Sequence, residues 1–354
     1  MGILTPWSFV PHSLLNYTDE MTFFQRCHNV ILSLIDAVFR RLYYLPKQND
    51  LAQEHFGHLI KEDLPHVKDL EKEVSVVLMN AHRSTQLPRP MMPNQVLIGG
   101  AHIKPAKPVP DYMKEFLDNS QHGVIYMSLG SYIQSADMPI EKLQIFVEVF
   151  RNLKQNVIWK YEGEPLENLP PNVKIGKWLP QNDILAHKNV ILFITHGGMF
   201  GYQEGIHRGV PMLFIPFFAD QHRNAFYAEN RGYGMIIPFY EINNATLNNR
   251  IGEMISNPNY TIIAKQYSDR FRFNPIPPMV DAMFWIEYSI INKGANFMKS
   301  PGAINMPWYK YIMLDIATFI IIIWVAFVVL VMLIIKVIIK KVRSRESKSK
   351  FKFI

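Results

Sequence analysis

Three short segments carry residue types that could do chemistry. Thr195-His196-Gly197-Gly198-Met199-Phe200-Gly201 sets a histidine and two adjacent glycines at the start of a predicted helix. Glycine lets the backbone approach a ligand closely. Free N–H groups at the positive end of a helix favour an anion, so the turn suits a phosphate. His196 can add a donor or a charge. The glycines fall at 197, 198 and 201, which is not the GxGxxG dinucleotide spacing. The other two segments are Leu129-Gly130-Ser131 and Pro216-Phe217-Phe218-Ala219-Asp220-Gln221.

Each segment follows a strand pattern. Val124–Ser128 leads into the first, the almost wholly apolar Val190–Thr195 into the histidine turn, and Pro211–Pro216 into the third. A run as apolar as VILFIT suits the centre of a parallel sheet. Further strands are expected at Asn156–Tyr161, Val173–Leu179 and Met235–Phe239. Helices are expected at Pro139–Leu153, Gln181–His187, Gly198–Arg208 and Gln221–Arg231. Strands alternating with helices indicate a doubly wound α/β domain, whose ligands sit outside the carboxyl ends of its strands. Before it, Asp19 to Leu45 is apolar-periodic and expected to be helical. Val74–Met79 and Gln95–Gly99 are strand candidates, and residues 104–111, with three prolines, read as a linker.

The 354 residues suggest roughly two domains. The formal charge of +7 gives no support to nucleic-acid binding. Of the 37 basic and 30 acidic residues, eight and one lie within residues 336–354, leaving a neutral body with 29 of each. The single cysteine, Cys27, permits no internal disulfide and no cysteine-based zinc site, and is expected to be a small buried hydrophobe.

Ile316 to Ile335 is twenty residues without a charge, enough for a helix to span about 30 Å of bilayer core. Trp308, Tyr309 and Tyr311 precede it as an interfacial belt would, and Lys336, Lys340, Lys341, Arg343 and Arg345 follow. By the positive-inside rule the tail is cytosolic and the body lumenal or extracellular. Lys350 and Lys352 resemble the dilysine retrieval signal of endoplasmic-reticulum proteins. Three sequons begin at Asn16, Asn244 and Asn259. The first residues lack a basic n-region and an apolar core. Either the anchor itself directs insertion or the chain lacks its true beginning.

From Trp178 to Gln221 the chain closely resembles the signature of the UDP-glycosyltransferases, the animal glucuronosyl- and glucosyltransferases. The match takes in Phe193-Ile-Thr-His196-Gly-Gly198, Gly201, Glu204, Pro211, Pro216 and Asp220-Gln221. It extends to WSFVP near the start, Ser128-Leu-Gly-Ser131, Phe284-Trp-Ile-Glu287 and the anchor with its lysine tail. The resemblance implies a GT-B-type α/β fold. Residues 106–296 would be a complete Rossmann-like UDP-sugar-binding domain, and residues 1–105 part of an acceptor domain. A stem (297–315), a transmembrane helix (316–335) and a cytosolic tail (336–354) would follow, in the endoplasmic-reticulum membrane.

The resemblance also assigns roles. Trp178 would stack on uracil, Gln181 hydrogen-bond the nucleoside and Glu204 receive the ribose hydroxyls. Ser131, His196 and the Gly198 and Gly201 backbone would cradle the diphosphate. Asp220 and Gln221 would grip the sugar. Phe200 departs from the pattern, since many relatives carry a polar residue there. The donor would be UDP-glucose, which Asp220 and Gln221 suit, or UDP-glucuronate, which would want a cation. A small lipophilic hydroxyl acceptor would attack with inversion, and no metal or other cofactor is expected.

The family's histidine base and its aspartate have no counterpart here. His12 and His28 lie outside the motif for the base, so no catalytic residue is assigned. Two readings stay open. One is a transferase whose base lies in a missing N-terminal segment. The other is an inactive short form that binds UDP-sugar, or pairs with related transferases, and regulates them. A transferase split over two chains is a minor third.

Overall fold

The computed structural model describes residues 5–60 and 64–350. Its contacts divide into two compact units, one of Leu4–Met298 and one built on Lys299–Ile354.

The first unit opens with α1 (Phe23–Phe39), started by a capping box in which Thr22 and Gln25 satisfy each other's backbone donors. A π-helical turn, Arg40–Tyr44, joins it directly to α2 (Leu45–Phe56). Pro46 therefore sits in the first turn of a new helix, where its missing N–H costs little. Cys27 on α1 is half-buried rather than buried. After α3 (Val67–Glu73), β1 (Val77–Met79) and β2 (Gln95–Leu97) pair in parallel as a small two-stranded sheet.

The main sheet starts after α4 (Asp111–Asp118). Its chain order is β3 (Val124–Ser128), α5 (Ile140–Arg151), β4 (Asn156–Lys160), β5 (Val173–Gly176), α6 (Gln181–Leu185), β6 (Val190–Thr195), α7 (Met199–Arg208), β7 (Met212–Phe214), α8 (Gln221–Asn230) and β8 (Gly234–Ile236). Helices α9 (Asn244–Ser256), α10 (Pro258–Arg272) and α11 (Pro278–Ile291) complete the unit. The spatial order is β5-β4-β3-β6-β7-β8, all parallel. Side chains along each strand alternate between two cores. Ile125, Met127, Trp159 and Ile194 face α5 and α9, through Phe146, Phe150, Leu247 and Ile251. Tyr126, Ile158, Phe193 and Phe214 pack with Met113 and Leu117 of α4, Tyr202 and Ile206 of α7, Ala225 and Ala228 of α8, and Phe271 of α10. Helices on both faces make the sheet doubly wound.

The chain builds outward from β3 to β5, then returns to lay β6 against β3. That reversal opens a crevice at the carboxyl ends of β3 and β6, where open α/β sheets take their ligands.

The second unit holds α12 (Pro301–Asn305), α13 (Trp308–Tyr311) and α14 (Leu314–Lys350). Within α14, Leu314–Lys341 has a mean hydropathy of 3.3 over its most apolar window, none of it buried. These 28 residues form a helix of about 42 Å, long and apolar enough to cross a membrane. The sequon at Asn16 lies in an exposed loop, and those at Asn244 and Asn259 lie in the first turns of α9 and α10. Lys352 lies outside the described residues.

Candidate functional site

A cavity of about 610 Å³ occupies the crevice. Leu129-Gly130-Ser131 leaves β3 with Gly130 at φ +89°, and Ser131 is exposed on the rim. On the next strand, His196 follows Thr195, and Gly197 turns the chain at φ +86°. Gly198 is the N-cap of α7 and makes no side-chain cap, so the first amides of that helix are left for a ligand.

His196 is wedged between two glycines. A Cβ on Gly130 would meet its Cε1 at 2.6 Å, and a Cβ on Gly198 would overlap the same ring. Burial, helped by Lys160, pushes the imidazole down to about 4, against a smaller upward pull from Asp220. At neutral pH His196 therefore offers an N–H, not a charge. Its Nδ1 is buried with no hydrogen-bond partner among the described residues.

An ion pair flanks this end, built on Lys160, the last residue of β4. Its side chain is 8% exposed, donates to Gly130 O at 2.8 Å and pairs with Glu162. Glu162 in turn accepts from the backbone N–H of Ser135 at 2.8 Å. The Lys160 Nζ also stands 6.0 Å from the ring centre of Trp178, whose indole is 76% exposed. An exposed, rigid aromatic face is a ready platform for a flat ring.

Beyond Trp178, Gln181 on α6 donates to Glu204 on α7 at 2.5 Å. Gly201 keeps this meeting possible, since a Cβ there would lie 3.3 Å from the Gln181 amide nitrogen. Burial raises the Glu204 pKa, while the Gln181 hydrogen bond opposes the shift. His102, from the segment after β2, approaches the other Glu204 oxygen at 3.9 Å. Burial lowers the His102 pKa, so this contact is one with a neutral ring rather than an ion pair.

Seven of the nine residues singled out in the sequence line this one cavity: Ser131, Trp178, Gln181, His196, Gly198, Gly201 and Glu204. Asp220 and Gln221 do not. Asp220 is the N-cap residue of α8 and accepts from Asn224 at 2.8 Å. The same Asn224 amide donates to Gly197 O at 2.9 Å, which ties Asp220 to the glycine turn. Gln221 is buried, and its Oε1 accepts from the N–H groups of Phe217 and Phe218 at 2.9 and 3.2 Å.

Sequence reasoning missed Lys160, His102 and Asn224. Lys160 had a signal, a lysine following the apolar run Val157-Ile158-Trp159 at the end of its strand. The other two depend on contacts between segments distant in the chain.

A family model described as "UDP-glucoronosyl and UDP-glucosyl transferase" matches residues 1–349. UDP-glycosyltransferase UGT5 of Dactylopius coccus is 34% identical over 92% of this chain and 61% of its own length. UDP-glucuronosyltransferase 1A1 of Rattus norvegicus is 36% identical over 92% and 59%. The chain thus spans about three fifths of the length of these relatives. Among solved structures, the spinosyn forosaminyltransferase SpnP superposes with a TM-score of 0.50 at 16% identity, over 61% of this chain and 55% of its own. That likeness shows the fold alone, a GT-B glycosyltransferase architecture.

Proposed function

The chain belongs to the UDP-glycosyltransferase family, and we propose that its crevice binds a UDP-sugar for transfer to a small lipophilic hydroxyl compound. One observation carries the reading: a single cavity gathers Trp178, the Gln181–Glu204 pair, His196 and the uncapped start of α7. In that order they offer a stacking face, polar partners for a nucleoside, and donors for a diphosphate.

In the proposed reaction the acceptor oxygen forms a bond to the anomeric carbon while the bond from that carbon to the β-phosphate oxygen breaks. Attack from the opposite face inverts the centre. His196, Ser131 and the α7 amides stabilise the negative charge that develops on the departing UDP. The base that takes the acceptor's proton belongs to the acceptor domain and not to these residues. Asp220 and Gln221, which lie outside the cavity lining, hold the sugar with the groups not engaged by Asn224 and by the Phe217 and Phe218 amides, and the donor is UDP-glucose or UDP-glucuronate.

We further place Ile316–Ile335, the uncharged stretch of α14, across the endoplasmic-reticulum membrane, with the basic tail from Lys336 in the cytosol and the body in the lumen. The apolar helix and the lysines and arginines after it support that placement.

Calorimetric titration of the detergent-solubilised protein with UDP tests the site, and a transfer assay with both UDP-sugars and a phenol tests the reaction. Absence of UDP binding would overturn the reading. Binding without transfer would favour an inactive form that holds the nucleotide-sugar.

A further inference from the structure

Residues 99–107 connect β2 to α4 and lie against the two helices that carry Gln181 and Glu204. Gly100 N donates to Gln203 Oε1 at 2.9 Å, and the fully buried Gln203 reaches Asn80 O at 3.3 Å. Lys104 O accepts from Asn182 Nδ2 at 3.2 Å and from Arg208 Nη2 at 3.0 Å. Lys107 N donates to Asp183 Oδ1 at 3.0 Å. Most of these contacts fasten backbone. Four residues of the segment, His102, Lys104, Pro105 and Lys107, also line the cavity, and of these the ring of His102 stands nearest Glu204.

His102 stands edge-on to Phe200, with ring centres 4.7 Å apart and planes at 83°. Its Nε2 lies 3.3 Å from Phe200 O and 3.9 Å from Glu204 Oε1. A carbonyl can only accept, so Nε2 carries the proton and Nδ1 does not. That N–H meets Phe200 O, and the carboxylate lies just beyond hydrogen-bond reach beside it. The other Glu204 oxygen is already taken by Gln181. A half-buried carboxylate is costly unless both oxygens find partners, and its aim is set by what holds them.

We infer that His102 is a positioning residue for Glu204, orienting the carboxylate toward the nucleotide's ribose and so coupling nucleotide affinity to the 99–107 segment. The inference rests on the reading of Glu204 as the ribose-binding carboxylate. His102 is assigned no direct contact with the nucleotide. It acts by narrowing the positions Glu204 can take.

The test compares UDP with 2′,3′-dideoxy-UDP, binding each to the full chain and its variants by calorimetry. His102→Ala should weaken UDP about three- to fivefold, the loss of a polar contact at 3.9 Å, and dideoxy-UDP less than about twofold. His102→Gln, whose amide can restore an N–H near Nε2, should recover most of the UDP affinity. Equal losses for both nucleotides would mean that His102 merely supports the fold, and would overturn the inference. So would no loss for either. Glu204→Ala is the control. If it discriminates between the nucleotides and His102→Ala does not, the inference fails alone. If Glu204→Ala weakens both equally, the ribose assignment has failed and takes the inference with it.

Discussion

The imidazole of His196 stands where a side chain at Gly130 would have to be. The two residues lie on turns that leave adjacent parallel strands, and a Cβ at Gly130 would come within 2.6 Å of Cε1. The glycine therefore does two things. It takes a backbone angle of +89° that other residues rarely adopt, and it vacates the space that the histidine fills. Lys160 then fastens the same turn by its bond to Gly130 O. The candidate diphosphate end is one packed unit of strand ends, not a set of independent loops.

Gly130→Ala should consequently lower stability by about 1–2 kcal/mol for the backbone angle alone. It should also weaken UDP, because His196 must move. Gly252→Ala provides the contrast, since Gly252 lies in α9 with open space around it. That change should raise stability by about 0.5–1 kcal/mol and leave UDP affinity unaltered. Urea unfolding and calorimetry on both variants would check the pair.

Trp178→Ala should separate binding from folding. The indole is 76% exposed, so its loss should shift unfolding by no more than about 0.5 kcal/mol. Loss of stacking should weaken UDP by about 1–3 kcal/mol. An unchanged dissociation constant would remove Trp178 from the site.

The Gln181–Glu204 bond predicts non-additivity. Replacing either residue by alanine should impair UDP binding, and the double variant should cost less than the sum by about 1 kcal/mol or more. Strictly additive losses would mean that the two side chains meet the nucleotide independently.

Acid sensitivity follows from His196. Its ordinary value is 6.5, and burial pushes it down to about 4 in the folded chain. Protons therefore bind the unfolded chain more readily, so the stability held by the neutral ring is complete above 6.5. It is lost as pH falls toward 4. His207, also pushed down to about 4 by burial, acts in the same direction. His196→Gln should flatten the fall in unfolding free energy, measured by urea, between pH 7 and pH 4.5 by about 1–2 kcal/mol. The same slope in variant and parent would refute this account.

The strands nearest the site were legible to the residue. Val124–Ser128 and Val190–Thr195 have the bounds their apolar runs predict, because buried parallel strands write a continuous signal. The first helix was less so. The apolar period from Asp19 to Leu45 gave one helix, but the chain passes through a π-helical turn and continues past Pro46 to Phe56. A proline in a fresh first turn reads in the sequence as a stop. Helices α9 and α10 went unread, though Asn243 caps the first and Pro258 opens the second. Within the site, residue types at strand ends pointed to His196 and its glycines. Which other side chains share the cavity is decided by packing between distant segments. His102 meets Phe200 across nearly a hundred residues, and no spacing rule reaches that far.

The reversal of the sheet between β5 and β6 sets a clock on synthesis. β3 begins at Val124, and the strand that must lie on its other side begins at Val190. At about 5–20 residues per second, some 3–13 seconds separate their translation. During that interval β3, β4 and β5 can pair, but β3 presents an unsatisfied, apolar edge to whatever is nearby. Neither His196 nor α7 has yet been made, so no nucleotide can shelter that edge. That edge stays open until VILFIT arrives.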